Sequence, residues 1–206
     1  PQGEALSKRL GTLAIKDLRA QGIAPMAVLS LMARLGSSDP VELRSSVQEI
    51  VDAFDISKFG SAPTKFDVED LKPLTARALS TLDLTDVADQ IAAAGVPDAL
   101  AAPFWKAVHD NINPLDDLPG WWALFRDGAT PLVADEDTDF IAQAFDLLGA
   151  PPYADDTWAT WTATVKETTG RKGKGLFMPL RKAVTGRERG PEMADVMPLL
   201  QTKPKV

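Results

Sequence analysis

Apolar residues recur at helical spacing along most of the chain, and this periodicity restricts the fold more than any other feature of the sequence. The stretch before the stop signal at Gly36 shows it clearly, with apolar side chains at intervals of three: Met26, Leu29, Met32 and Leu35. No window alternates β-branched and polar residues as a half-buried strand would. The sequence therefore predicts an all-α fold made of many short helices.

Glycine, proline and helix-capping residues divide this pattern into segments. Ser45 or Ser46 can cap a helix through Phe54, and Asp67 can cap a longer one with an irregularity at Pro73. The predicted helices cover 25–35, 46–54, 68–82, 85–94, 97–112, 118–125, 137–148, 156–166, 176–184 and 193–200. The connectors near 57–65 and 127–135 are the predicted subdomain boundaries.

Composition excludes several classes of protein. The 206 residues suffice for one large domain or two or three small ones, and 45% hydrophobic with 25% charged residues is typical of a soluble globular protein. No apolar run approaches the roughly 18 residues that span a bilayer, so no membrane association is expected. The absence of cysteine removes disulfides and thiolate catalysis and fits a reducing cytoplasm. Because residue 1 is Pro, we expect a processed product or, preferably, an excised segment.

Charge is distributed unevenly along the chain. The net charge is −7, yet residues 166–189 carry eight Lys and Arg against Glu167 and Glu188, a net of +6 that leaves −13 for the remainder. A cationic strip on an anionic body attracts a polyanion to one face only.

Within this strip, basic residues alternate with glycines that let a ligand approach the backbone: Arg171, Lys172 and Lys174 lie among Gly170, Gly173 and Gly175. Arg181 follows on a predicted helix, where its planar fork suits a phosphate or a base edge. The alternative is that these charges cover a solvated helix while Phe177 and Leu180 enter the core.

Other constellations have plainer interpretations. Trp121, Trp122, Trp158 and Trp161 occur in apolar stripes that predict core packing. His109 has no assignable catalytic partner, and as the single histidine it excludes a multi-histidine metal site. The acidic residues 135–139 are explained by a helix N-terminus, and no metal site is expected.

The basic N-terminal segment Ser7-Lys8-Arg9 has a hydroxyl, an ammonium and a planar guanidinium, which together suit a polyphosphate ligand. The alternative is a frayed basic terminus that binds no ligand. In context, three stretches in the same order resemble the bacterial glutamyl-tRNA synthetases. These are Ala5-Leu6-Ser7-Lys8-Arg9, the segment Pro63-Thr64-Lys65-Phe66-Asp67 with Leu71, and Pro179-Leu180-Arg181-x-Ala183-x-Thr185-Gly186 with Gly190-Pro191. The first departs from the family signature, since Ala5 stands in place of its first lysine.

The resemblance implies a division into a signature loop and stem-contact region over 1–82 and anticodon-binding subdomains over 83–126 and 127–206. It implies ATP binding by Ser7, Lys8 and Arg9, with Lys8 in a catalytic role. It also implies tRNA and anticodon binding by these residues: Arg171, Lys172, Lys174, Arg181, Gly190 and Asn111. Arg181 would read an anticodon base.

The same resemblance implies glutamate tRNA as partner, with glutamine tRNA as an open possibility, and a monomer in the cytoplasm. The family's His-x-Gly-His motif is absent, so ATP with Mg²⁺ would act only in the full-length ligase, together with an N-terminal catalytic domain. This segment should be inactive alone. The alternatives are a helical protein–protein adaptor and a nonspecific RNA-binding module.

Overall fold

The computed structural model describes residues 14–112 and 114–205, and these residues form helices joined by turns and loops. The α-helices are α1 Ile15–Ala20, α2 Pro25–Met32, α3 Val47–Asp52, α4 Leu71–Leu79, α5 Leu84–Ala93, α6 Asp98–Val108, α7 Leu118–Asp127, α8 Thr138–Asp146, α9 Thr157–Thr169, α10 Lys174–Thr185 and α11 Met193–Val196. Short 3₁₀ helices cover Ile56–Lys58, Val68–Asp70, His109–Asn111, Leu115–Asp117, Asp135–Asp137 and Met197–Leu199. The described residues contain one isolated antiparallel bridge, Ser37 to Phe59, and no strand. The predicted all-α fold is confirmed.

The chain divides into two compact units. The first comprises Pro1–Asp83 and Ile112–Asp117, and the second comprises Leu84–Asn111 and Leu118–Val206. In the described residues, α1 to α4 belong to the first unit and α5 to α11 to the second. No described helix has the length and apolar character needed to cross a bilayer.

The first unit is built around the packing of α2 on α4. Its core is a small apolar cluster: Leu18, Ile23, Ala27, Leu31 and Leu71. The backbone N–H of Ala24 donates to the Thr75 hydroxyl at 3.2 Å, which ties the start of α2 to α4. Helix α3 starts as predicted, because the Ser46 side chain accepts a bond from the N–H of Glu49 at 3.2 Å.

Helix α4 begins later than the sequence predicts. Asp67 does act as a cap, but for the 3₁₀ turn Val68–Asp70, where its carboxylate accepts from the N–H of Glu69 at 3.0 Å. Pro73 lies in the first turn of α4. A first-turn residue has no intrahelical partner for its N–H, so proline is tolerated there. The irregularity therefore precedes the helix and does not interrupt it.

The second unit has an aromatic core. The Phe104 ring meets Trp122 and Phe125 edge to face, with centroids 6.0 and 5.9 Å apart. The indole N–H of Trp161 donates to the carbonyl of Ala144 at 2.8 Å. Core packing is confirmed for Trp121, Trp122 and Trp161, whereas Trp158 stays partly exposed.

Helices α9 and α10 form the part of the second unit that carries the basic strip. Both end at a left-handed glycine, Gly170 with φ +72° and Gly186 with φ +64°. Helix α10 begins at Lys174, two residues earlier than predicted, so Lys174 lies in its first turn rather than in the preceding loop. The strip thus consists of the end of α9, the short loop before Lys174, helix α10 and the turn that follows Gly186.

Candidate nucleic-acid interface

Arg181 is fixed in place by the chain that follows α10. Leu180, Ala183 and Val184 on the same helix are buried, whereas Arg181 is half-buried. Its Nη1 donates to the backbone carbonyl of Pro191 at 2.8 Å. The described residues provide no hydrogen-bond acceptor for its Nε and Nη2. The guanidinium is therefore oriented at one nitrogen and has donors left for a ligand.

Gly190 is a neighbour of Arg181 in this arrangement. A Cβ placed at position 190 would lie 3.5 Å from Cη2 of Trp121 and 3.8 Å from Nη1 of Arg181. Two of the predicted site residues, Arg181 and Gly190, are thus brought together beside the edge of a buried indole.

The turn after α10 places a further arginine at the same indole. The Thr185 hydroxyl donates to the carbonyl of Arg181 at 2.7 Å and accepts from the N–H of Arg187 at 3.2 Å. The guanidinium carbon of Arg187 lies 4.1 Å from the ring centroid of Trp121. From the sequence, Arg187 is one charge among eight in the basic strip, and Trp121 is a predicted core residue. The charge of the strip is the one feature of the sequence that points to Arg187, because its contact Trp121 lies on α7, far away along the chain.

Arg171 is half-buried and makes three contacts with other parts of the chain. It forms an ion pair with Asp137, and its guanidinium lies 4.0 Å above the Phe140 ring. Its Nη1 also lies 3.4 Å from the carbonyl of Gly175. Pro179, four residues further along α10, has no N–H to offer that carbonyl. These contacts tie the basic loop to the N-terminal end of α10.

Lys172 in the loop and Lys174 in the first turn of α10 are both exposed. Lys174 lines a cleft of about 540 Å³ beside α10, and the carboxylates of Glu136 and Glu188 line it too. Lys182 pairs with Glu188 at 3.2 Å. The positive charge of this cleft is therefore partly balanced, while Lys172 presents its ammonium to solvent.

The remaining predicted site residues lie elsewhere. Asn111 is exposed at the end of the 3₁₀ helix His109–Asn111 in the second unit. Ser7, Lys8 and Arg9 lie outside the described residues. Within residues 14–112 and 114–205, no group of three or more His, Asp or Glu side chains is placed to hold a metal ion.

The comparison with family models defines the class of protein. Residues 68–203 match the family model described as the anticodon binding domain, and the chain belongs to this family. Its curated relatives are glutamate–tRNA ligases. It is 67% identical over 201 residues to glutamate–tRNA ligase 1 of Ruegeria pomeroyi, and 66% identical over 204 residues to glutamate–tRNA ligase 2 of Jannaschia sp..

These alignments cover 98% and 99% of this chain but 45% of each ligase, so the chain spans about half the length of the relatives it matches. Among solved structures, the glutamate–tRNA synthetase of Elizabethkingia anophelis superposes with a TM-score of 0.66 at 17% identity, over 95% of this chain and 41% of that chain. A glutamate–tRNA ligase of Elizabethkingia meningosepticum, solved with its amino acid, superposes with a TM-score of 0.65 at 19% identity, over 88% of this chain and 39% of that chain. At these identities the similarity concerns the fold.

Proposed function

We propose that this chain is the tRNA-binding and anticodon-recognising part of a glutamate–tRNA ligase. Its membership of the anticodon-binding family and its identity to ligases about twice its length support the proposal. The complete enzyme would join glutamate to its tRNA at the expense of ATP, with Mg²⁺ as the accompanying ion, in the cytoplasm and as a monomer. Glutamine tRNA is a further candidate substrate.

The chemistry of amino-acid activation would belong to the polypeptide that this chain does not include. In that assembly Ser7, Lys8 and Arg9 would contact ATP, and Lys8 would stabilise charge on the reacting phosphates. This chain alone is expected to bind tRNA without forming an adenylate. We further propose the division into a stem-contact region over 1–82 and two anticodon-binding subdomains over 83–126 and 127–206.

The observation that carries the proposal is the position of Arg181 beside Gly190. The guanidinium already donates one hydrogen bond to Pro191 and has therefore lost part of its rotamer freedom. Binding of a ligand then costs less side-chain entropy. The unused nitrogens of Arg181 form a planar donor set, which suits the edge of a base. Proteins read RNA sequence mainly from splayed single-stranded bases, and an anticodon loop supplies such bases. Gly190 leaves room beside the fork and offers backbone groups only.

The lysines serve a different purpose in this proposal. Lys172 and Lys174 would contact phosphates of the anticodon arm, and Asn111 would contact it from the other subdomain. Arg171 would act mainly by ordering the loop that presents the two lysines, because its guanidinium is held by Asp137 and Phe140.

A binding titration tests the base-reading role. The chain is titrated against a glutamate tRNA transcript and against the same transcript with a changed anticodon. Arg181→Ala should weaken binding to the first by about 1–3 kcal/mol, the scale of a bidentate base contact, and should affect the second much less. Lys182→Ala is the matched control, since it removes the same charge from the next position. Equal losses for both transcripts would remove the base-reading role of Arg181.

The phosphate role has its own signature. Lys172→Ala should weaken binding to both transcripts alike and reduce the slope of log K against log salt by about one. An unchanged slope would contradict a phosphate contact at Lys172. If neither transcript binds at low salt, the chain is a protein-binding adaptor instead, and if both bind equally well it is a nonspecific RNA-binding module.

A further inference from the structure

Arg187 is held by local structure in a defined orientation. Gly186, the left-handed residue before it, cannot be replaced cheaply, because a Cβ there would lie 2.5 Å from the backbone carbonyl oxygen of Thr130. The Thr185 hydroxyl then accepts the N–H of Arg187 at 3.2 Å. The backbone that carries the Arg187 side chain out of the turn is therefore held by the close approach of Gly186 to Thr130 and by the bond to the Thr185 hydroxyl.

The side chain ends over an aromatic ring. The Arg187 guanidinium lies 4.1 Å from the ring centroid of Trp121, which is 3% exposed, while Arg187 itself is exposed. A planar guanidinium has two faces, and the indole occupies only one of them. The other face is a flat, charged surface of the kind on which unpaired RNA bases stack.

Space for a ligand adjoins this arginine. Arg187 lines a cleft of about 360 Å³ whose other walls are mostly small residues: Gly120, Ala123, Gly128, Ala129 and Gly186. The carboxylate in the cleft, Asp127, is paired with Arg126 at 2.6 Å, so its charge is largely compensated. This cleft is shallow and open to solvent. A splayed base can therefore approach Arg187 without displacing bulky side chains.

We propose that Arg187 is a base-stacking residue, which holds one splayed nucleotide of a bound RNA loop between its exposed guanidinium face and the adjoining cleft. This inference rests on the proposed function, since it requires that RNA binds to the second unit. It assigns Arg187 a role distinct from that of Arg181. Arg181 would read a base edge by hydrogen bonds, whereas Arg187 would recognise the flat face of a base and would tolerate its identity.

The test combines a protein substitution with the removal of single bases. Dissociation constants of the wild-type chain and of Arg187→Lys are measured with a glutamate tRNA transcript and with transcripts that carry one abasic nucleotide at each anticodon-loop position in turn. Lysine keeps the positive charge but has no planar face, so a phosphate contact would survive this change. For the nucleotide that stacks on Arg187, either Arg187→Lys or removal of the base should by itself weaken binding about tenfold. The two changes together should weaken binding no further than one of them alone.

Arg189→Lys provides the matched control, because it makes the same change two residues away on an exposed side chain. Thermal unfolding of each variant checks that the fold is retained. Independent, multiplicative losses at every loop position would overturn the stacking role, as would an equal effect of Arg189→Lys. If Arg187→Lys binds like the wild type while anticodon dependence persists, this inference fails and the proposed function stands. If the wild-type chain binds no transcript at all, the proposed function fails first.

Discussion

The turn between α10 and Arg187 allows a substitution experiment with an internal control. Gly170 and Gly186 both end a helix, with φ +72° and +64°, and both lie in the second unit. A Cβ at position 186 would lie 2.5 Å from the Thr130 carbonyl oxygen, whereas a Cβ at position 170 would meet open space among the described residues. The two sites thus share the same backbone conformation and differ in one steric contact.

Alanine at either site should destabilise the second unit, but by different amounts. A left-handed conformation costs a non-glycine residue about 1–2 kcal/mol, and alanine recovers about 0.4–1 kcal/mol by restricting the unfolded chain. We therefore expect Gly170→Ala to lower the free energy of unfolding by about 1 kcal/mol. Gly186→Ala must also displace a backbone carbonyl, and such overpacking costs about 1–3 kcal/mol more. Its total should be about 2–4 kcal/mol.

Urea denaturation followed by tryptophan fluorescence measures both values. All five tryptophans lie in the second unit, so the signal reports the unfolding of that unit. Equal losses for the two variants would refute the steric argument and leave only the helix-capping role of each glycine. Asparagine tolerates the left-handed conformation but keeps a Cβ. If Gly186→Asn is therefore as stable relative to Gly186→Ala as Gly170→Asn is relative to Gly170→Ala, and both asparagine variants approach the wild type, the steric argument is refuted as well.

Two further predictions concern the second unit. Arg171→Lys should lower its stability by about 1 kcal/mol although the charge is kept, because the guanidinium that contacts Asp137 and lies over the Phe140 ring is lost. Unchanged urea midpoints would contradict this. Burial raises the pKa of the Tyr153 phenol. The contribution of Tyr153 to the free energy of unfolding is therefore fully present below the pKa of an unfolded tyrosine, and it is lost as pH rises through the higher pKa of the folded protein. Tyr153 is the one tyrosine in the sequence, so phenolate absorbance measures this pKa directly, and Tyr153→Phe should remove its share of the decline.

Much of the helical architecture could be predicted because it depends on neighbours a few residues apart. Ser46 caps α3 through a bond to the third residue that follows, and Gly186 ends α10 by its own conformation. Helix boundaries are harder to predict where two short-range signals compete. Asp67 was expected to start an α-helix and instead caps a 3₁₀ turn, which passes into α4 at Leu71.

The candidate site could be predicted in part. The order of motifs pointed to Arg181 and Gly190, and the structure places them side by side. The sequence grouped Arg171 with Lys172 and Lys174, but the structure shows that Arg171 is held by Asp137 from another part of the chain. Nothing in the sequence near Arg171 distinguishes it from Lys172, since the distinction arises from a carboxylate 34 residues away.

The sequence by itself determined the all-α class, the glycine-terminated helices and the position of the basic strip, because periodicity, capping and charge are properties of adjacent residues. Only the tertiary structure decided which of the basic side chains remain available. Arg187 lies against Trp121, Arg181 donates to Pro191, and Lys172 faces solvent. Each of these outcomes depends on what the folded chain brings within a few ångströms, and the spacing of residues along the sequence does not encode that distance.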